Sequence, residues 1–208
     1  LLAEPLGPSL GIQAQLPILL AEYPFRTQQD IADYLHLLQD LPRYFSDLIA
    51  LEQEKSRQGV FQNDLAVDGI IRQCSAFLAD ADTPESHLLH TVFQNKLQAS
   101  SLFSEAERNF CLQTHKKLLT SCVFPAYRSL SDALSSLRGK GTQNAGGLSR
   151  QEGGLSYYAY LLRSRVGVDA SPEELTRLLT QQLADQCAEM QIILDQNPSL
   201  SLSEQALV

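Results

Sequence analysis

Apolar residues recur at helical spacing along most of the chain, and one long glycine-rich stretch interrupts that pattern. The stretch runs from Gly139 to Tyr160, and six glycines fall between residues 139 and 154. Each glycine in a helix costs roughly 1 kcal/mol relative to alanine, so a helix cannot continue through such a run. The sequence therefore predicts an internal loop over 139–154, with one helix ending at Gly139 and another starting near Gly154.

The loop and the residues after it have two interpretations at this point. The loop could line a cleft, with Gly153 and Gly154 allowing close approach and the hydroxyls of Tyr157 and Tyr158 donating hydrogen bonds. Alternatively, the loop is a flexible connector and the tyrosines pack in a core. A phosphate-binding loop is excluded, because no strand-like run precedes the glycines and no Gly-Lys-Ser/Thr is present.

Helix starts are predicted at Thr27–Asp30, Ser104–Glu107 and Ser171–Glu174, where a Ser/Thr-x-x-acid spacing precedes an apolar helical pattern. Between Ser104 and Leu137 we expect one long helix with a bend or break at Pro125. After the loop, a short helix should end at Gly167. No strand-period pattern is present. The expected fold is all-α, an irregular bundle of about seven helices with no β-sheet.

Prolines suggest further boundaries. Residues 1–24 contain four prolines and are predicted to be irregular. Leu41-Pro42 predicts the start of a new helix with the proline at its first position, and Thr83-Pro84-Glu85 predicts another helix start.

Length and charge limit the class of protein. With 208 residues and 44% hydrophobic content, the chain is interpreted as a single helical domain over 1–208 or the N-terminal half of a larger helical domain. A net charge of -8 argues against a nucleic-acid partner. No segment is apolar and long enough to span a membrane. The first residue is Leu, so we expect a piece of a longer protein, cytoplasmic or, if an upstream signal was removed, in the cell envelope.

Chemically reactive side chains form no complete catalytic set. Four cysteines lie on apolar helical stripes and are predicted to be reduced, buried thiols: Cys74, Cys111, Cys122 and Cys187. His87 and His90 could share a metal, but a third ligand is missing, and we expect both to flank the core. Glu52 and Glu54, near Lys55 and Arg57, are interpreted as surface charge. We assign no catalytic residue and no metal ligand; a small enzyme using His87 and His90 is a distant alternative.

Several stretches together resemble a known family. They are residues 11–25 (GIQAQLPILLAEYPF), 30–35 (DIADYL), 41–45 (LPRYF), 125–127 (PAY) and 153–158 (GGLSYY). In order and spacing they resemble the bacterial domain of unknown function 885 family, in a form seen in gut Firmicutes, over most of residues 11–195.

The resemblance implies an α-helical protein of more than twice this length. Its later half carries a His-Glu-x-x-Pro-Gly-His-type motif, similar to zinc-dependent peptidases with a deep helical cleft, and that half is absent here. The resemblance thus implies no cofactor in this chain, zinc in the full-length protein, and Gly153, Gly154, Tyr157 and Tyr158 as substrate-side groups.

Two functions follow as hypotheses. In the first, the chain is the non-catalytic N-terminal wall of a substrate cleft; its partners are the missing C-terminal half, a peptide substrate or a second copy bound through exposed apolar surface. In the second, the chain is an independent helical module that binds a protein partner.

Overall fold

The computed structural model describes residues 1–141 and 146–197, and all regular structure in those ranges is helical. Eight α-helices follow one another: α1 Ile12–Glu22, α2 Gln28–Arg57, α3 Asp64–Phe77, α4 Leu88–Ala99, α5 Glu105–Leu118, α6 Phe124–Leu137, α7 Gly154–Leu161 and α8 Pro172–Gln196. A π-helical turn, Leu119–Val123, joins α5 to α6, and a second, Leu162–Val166, extends α7. A 3-10 turn covers Gly147–Arg150. The predicted all-α bundle is confirmed.

The chain divides into two compact units, Leu1–Gln151 and Glu152–Val208. The first unit contains α1 to α6 and the 3-10 turn, and it holds the main hydrophobic core. The second unit contains α7 and α8. Whether the whole chain is one domain or half of a larger one stays a prediction.

Helix α2 is central to the first unit and packs against α5, the first π-turn and α6. It is 30 residues long, and its buried residues alternate at spacings of three and four: Ile31, Tyr34, Leu38, Leu41, Phe45, Leu48, Glu52 and Lys55. That spacing keeps one face of the helix on the core side along its whole length.

Pro42 lies inside α2, so the predicted helix boundary at Leu41-Pro42 is wrong. An internal proline removes a backbone donor and costs about 3 kcal/mol. Leu41 and Phe45 are 6% and 1% exposed on either side of it. Burial of one such side chain contributes roughly 1.5–3 kcal/mol, so packing offsets the local cost and the helix continues.

Pro125 is accommodated differently. The predicted break takes the form of the π-turn Leu119–Val123, in which the N–H of Phe124 donates to the carbonyl of Leu119 five residues back. Pro125 follows as the second residue of α6. A wider turn of this kind relieves the clash of the proline ring with the preceding turn, and the helix resumes.

Two predicted boundaries near the start of the chain and before α4 are corrected. Residues 12–22 form α1 rather than irregular chain, and the hydroxyl of Tyr127 donates to the carbonyl of Gln13 at 3.0 Å. Thr83 does not begin a helix; α4 begins at Leu88, and the ring of His87 accepts the N–H of Leu89 as its cap.

The predicted helix ends at Gly139 and Gly167 and the predicted helix starts at Thr27, Ser104 and Ser171 are confirmed. Gly59, Gly139 and Gly167 all have φ between 72° and 80° at or just beyond a helix end. Capping boxes occur at Thr27, Ser104 and Ser171. These signals act through local backbone groups, which explains why sequence alone reveals them.

Candidate functional site

The four predicted substrate-side residues lie at the start of α7. Gly153 has φ +70°, a left-handed conformation that suits glycine, and Gly154 is the buried first residue of the helix. Tyr157 is half-buried and stacks on Tyr160 with ring centroids 6.0 Å apart. Tyr158 is 41% exposed, so it does not pack in a core. The structure thus brings the four residues onto one short helix, and their substrate role stays a prediction.

The glycine-rich loop is described in part, and residues 142–145 lie outside the described residues. Gly141 approaches the backbone of Gln62 so closely that a Cβ would collide with its carbonyl. The 3-10 turn that follows borders a cavity of about 170 Å³ in the first unit through Leu148, and the lining also includes Leu2 of the N-terminal segment and Phe61 of the α2–α3 loop.

Glu52 and Lys55 are not surface charges as predicted, since their exposed fractions are 1% and 0%. The Nζ atom of Lys55 donates to the carbonyl of Ala3 at 3.1 Å and to Glu4 at 2.7 Å. It lies 3.7 Å from a carboxylate oxygen of Glu52. Lys55 therefore anchors the N-terminal segment to α2.

Glu52 is poorly solvated in this arrangement. Among the described residues, neither of its carboxylate oxygens has a hydrogen-bond partner. Burial raises the pKa of Glu52 to about 7, in spite of the lowering effect of Lys55; the charge of Glu4 raises it further. Glu52 is thus partly protonated near neutral pH, while Glu4 supplies the counter-charge of Lys55.

A buried histidine cluster joins three helices of the first unit. The ring of His115, on α5, is fully buried and packs beside two aromatic rings, with its centroid 4.2 Å from that of Phe93 and 5.8 Å from that of Tyr34. Its Nε2 is 3.2 Å from the hydroxyl of Tyr34, and its Nδ1 is 3.1 Å from the Nδ1 of His90.

Desolvation sets the charge of this cluster. Burial lowers the pKa of His115 to about 3, helped by the nearby charges of His90 and His87. Burial also lowers the pKa of His90, although the carboxylate of Glu85 acts in the opposite direction. Both rings are therefore neutral at physiological pH, as expected for imidazoles taken out of water.

Both ring nitrogens of His87 contact backbone groups. Its Nδ1 accepts the N–H of Leu89 at 3.3 Å, and its Nε2 lies 3.0 Å from the carbonyl of Phe77. His87 and His90 are 3% and 7% exposed, so they lie within the core rather than beside it. With both nitrogens of His87 engaged, the pair cannot share a metal ion.

The described residues do not fit a zinc site. Across 1–141 and 146–197, no three His, Cys, Asp or Glu side chains are close enough to hold a metal ion. A zinc site requires three or four such ligands around one point. Cys74 and Cys111 are buried thiols as predicted, Cys122 is half-buried, and Cys187 is exposed, contrary to expectation.

The burial of Glu52, Lys55 and His115 was not predicted, although their spacing along the chain was a signal for it. Glu52 and Lys55 continue the three-four spacing of the α2 core stripe. His115 lies four residues from both Cys111 and Leu119, which are also buried. Because these side chains are polar, they were expected to be exposed to solvent, whereas their spacing indicated that they face the core.

The second unit contains a long helix without a buried residue. Helix α8 is 25 residues long, and its first turn is capped by Ser171 and Glu174. One side carries an apolar stripe, which we call the α8 stripe: Leu175, Leu179, Leu183, Met190, Ile193 and Leu194. Leu179 and Leu183 are 59% and 63% exposed. A helix of this pattern normally buries its apolar side.

No helix in the described part of the chain combines the length and the apolar character needed to cross a bilayer.

Comparison with known proteins identifies the fold and the family. A crystal structure of a protein from Colwellia psychrerythraea, provisionally described as a lipoprotein, matches with a TM-score of 0.80 and 18% sequence identity. The match covers 95% of this chain and 34% of that one, so the present chain spans about a third of the length of this neighbour. No curated protein matches the chain significantly.

A sequence profile described as "Bacterial protein of unknown function (DUF885)" matches residues 3–206, which is nearly the whole chain. The profile match, the all-helical fold and the order of the sequence motifs agree. The chain belongs to the DUF885 family of bacterial proteins.

Proposed function

We propose that this chain is the N-terminal, non-catalytic helical part of a zinc-dependent peptidase-like protein, in which it forms one wall of a substrate cleft. Its metal-binding half would be another part of the same protein. One finding supports the proposal: the chain spans 34% of the length of its structural neighbour.

The exposed α8 stripe is the observation that carries the proposal. Leu179, Leu183 and Ile193 are each more than half exposed on a helix that buries nothing. Removing apolar surface of this kind from water contributes roughly 25 cal/mol of favourable free energy per Å² buried. We assign the rest of the longer protein as its occupant, because the structural neighbour has a chain about three times as long.

The start of α7 supplies the substrate side of the proposed cleft. The hydroxyls of Tyr157 and Tyr158 are on partly exposed rings, and the left-handed Gly153 lets the backbone turn sharply before them. Tyrosine offers an apolar ring and a hydrogen-bond donor, which suits a peptide ligand. Replacing Tyr157 and Tyr158 with Phe in the full-length protein should weaken peptide binding without unfolding the chain.

Paired variants of α8 test whether the rest of the longer protein docks on the α8 stripe. Leu179→Glu with Leu183→Glu places two charges on the α8 stripe, whereas Ala188→Glu places one on the opposite side of the helix. In the full-length protein, the double variant should expose α8 to limited proteolysis and lower the midpoint of thermal unfolding, and Ala188→Glu should do neither. Equal behaviour of the two variants would contradict docking through this stripe.

Zinc content tests the chemical half of the proposal. The full-length protein should contain zinc by elemental analysis and hydrolyse peptides, and the 208-residue chain should do neither. A full-length protein that contains no metal would contradict the assignment to zinc peptidases. Docking through α8 could still hold in that case, so the two tests have separate outcomes.

An independent interaction module is the second candidate, because an exposed apolar helix also suits a partner protein. Light scattering separates the alternatives. An unfilled interface predicts self-association of the isolated chain, which Leu179→Glu should abolish. An independent module predicts a monodisperse monomer. The provisional lipoprotein description of the structural neighbour favours the cell envelope over the cytoplasm as the location.

A further inference from the structure

Three buried side chains from three helices form a continuous hydrogen-bond chain, which we call the histidine relay. Tyr34 of α2 contacts His115 of α5 at 3.2 Å, and His115 contacts His90 of α4 at 3.1 Å. The exposed fractions of these residues are 1%, 0% and 7%. The contact between His115 and His90 joins two Nδ1 atoms, so its geometry constrains where the hydrogens lie.

The direction of the relay follows from the number of hydrogens. A neutral imidazole carries one N–H, so of two facing Nδ1 atoms one donates and the other accepts. The hydroxyl of Tyr34 is buried, and His115 is its hydrogen-bond partner in the described part of the chain. A buried hydroxyl is satisfied when it donates, and donation to Nε2 leaves the hydrogen of His115 on Nδ1. His115 then donates to His90, whose own hydrogen is on Nε2.

We propose that the histidine relay is an acid-triggered switch, in which uptake of one proton at His90 reverses both hydrogen bonds. With a proton on its Nδ1, His90 becomes the donor to Nδ1 of His115. The hydrogen of His115 moves to Nε2 and is donated to the oxygen of Tyr34. The relay gains one proton in total, and the positive charge stays on His90. The hydroxyl hydrogen of Tyr34 must then turn away from His115, so a buried hydroxyl hydrogen loses its acceptor at the contact between α2 and α5.

The groups around the relay favour His90 as the entry point. Burial lowers the pKa of His90; the carboxylate of Glu85, in the turn before α4, opposes that shift, whereas Lys116 of α5 and His87 add to it. Glu85 and Lys116 are themselves an exposed ion pair. On the α5 side, burial raises the pKa of the Cys111 thiol, which therefore stays neutral. Lys96 lies at the far end of α4, toward α1. Burial lowers the pKa of Lys96, and the charge of Glu22 opposes that shift.

His87 provides an internal reference. Its Nδ1 accepts a backbone N–H and its Nε2 faces a backbone carbonyl, so its hydrogen is fixed on Nε2 by groups that cannot reverse. The same core therefore contains a histidine with a fixed tautomer beside two whose tautomers can invert.

Ring-nitrogen NMR of the ¹⁵N-histidine-labelled full chain tests the proposal. Near neutral pH, His115 should carry its hydrogen on Nδ1, and His90 and His87 should carry theirs on Nε2. On acidification, His115 should change tautomer at the same midpoint at which His90 gains a proton. A hydrogen on Nε2 of His115 at neutral pH, or separate midpoints for His90 and His115, would overturn the switch.

Two tyrosine variants on α2 provide a matched pair. Tyr34→Phe removes the hydroxyl that sets the direction, so the single tautomer of His115 should give way to a mixture. Tyr44→Phe alters a tyrosine that is 41% exposed on the same helix and should leave the spectrum unchanged. A single Nδ1–H tautomer that persists in Tyr34→Phe contradicts the proposed direction. If Tyr34→Phe does not fold, the wild-type titration alone decides.

Discussion

His115 is fully buried and neutral, and its position determines how the fold responds to acid. Its pKa is about 3 in the folded chain, against 6.5 for an ordinary histidine. Below about pH 6.5 the unfolded chain therefore binds a proton at this residue that the folded chain does not bind. Protonation favours the unfolded state throughout that window.

The free energy of unfolding should fall by up to about 1.4 kcal/mol per pH unit, owing to His115, as the pH drops from about 6.5 toward 3. Urea denaturation at a series of pH values measures the slope. His115→Phe should flatten it, because the aromatic stack with Phe93 can be kept while the titrating group is lost. His36→Phe, at an exposed position of α2, is the control. An unchanged slope in His115→Phe would contradict the assignment.

Glu52 gives the opposite dependence on pH. Its pKa is about 7 in the folded chain and 4.5 in a model peptide, so between these values the folded chain holds a proton that the unfolded chain has released. Stability is therefore lost as the pH rises through that window. Glu52→Gln should raise the free energy of unfolding by about 1–3 kcal/mol above neutral pH. Glu54→Gln, at a half-buried position of the same helix, should change it little; a destabilising Glu52→Gln would show that the ionised carboxylate stabilises the fold.

Individual buried polar residues were the hardest part of the site to predict. Glu52, Lys55 and His115 belong to residue types that are usually solvent-exposed, and their burial depends on partners distant in sequence. Lys55 pairs with Glu4 and Ala3 across more than 50 positions. The spacing along α2 indicated that Glu52 and Lys55 are buried, but only the fold shows the hydrogen-bond and ion-pair partners that stabilise Lys55 there.

At the scale of the helix, local signals were reliable where they satisfy backbone groups. The starts of α2, α5 and α8 and the helix ends at Gly139 and Gly167 were predicted, because caps and left-handed glycines act within a few residues. The helix starts predicted at Pro42 and Thr83 were wrong. Tertiary packing lets α2 continue through Pro42, and a turn follows Thr83, so α4 begins only after its cap, His87.

Ser171 offers a direct test of helix capping in the second unit. Its hydroxyl accepts the N–H of Glu174 at 3.1 Å, and the carboxylate of Glu174 accepts the N–H of Ser171 at 2.9 Å. Ser171→Ala should cost about 1 kcal/mol and increase amide exchange in the first turns of α8, whereas Ser171→Asp should retain protection. Because α8 buries no residue, little packing compensates for a lost cap. Equal exchange in Ser171→Ala and wild type would contradict this account.

For the whole molecule, composition and periodicity predicted the fold class but not the interface. Leucine-rich helices indicated an all-α chain, and that prediction is confirmed. The same periodicity marked the apolar stripe of α8, yet it could not show that the stripe is exposed. That distinction depends on the partner of the helix, which no local pattern encodes.

Hydrogen exchange of the α8 amides, compared between the 208-residue chain and the full-length protein, tests the central claim most directly. If the α8 stripe is the docking surface for the rest of the protein, amides from Leu175 to Leu194 should exchange much more slowly in the full-length protein. Amides of α2, buried in the first unit, should exchange alike in both. Equal exchange of α8 in the two proteins would contradict the account.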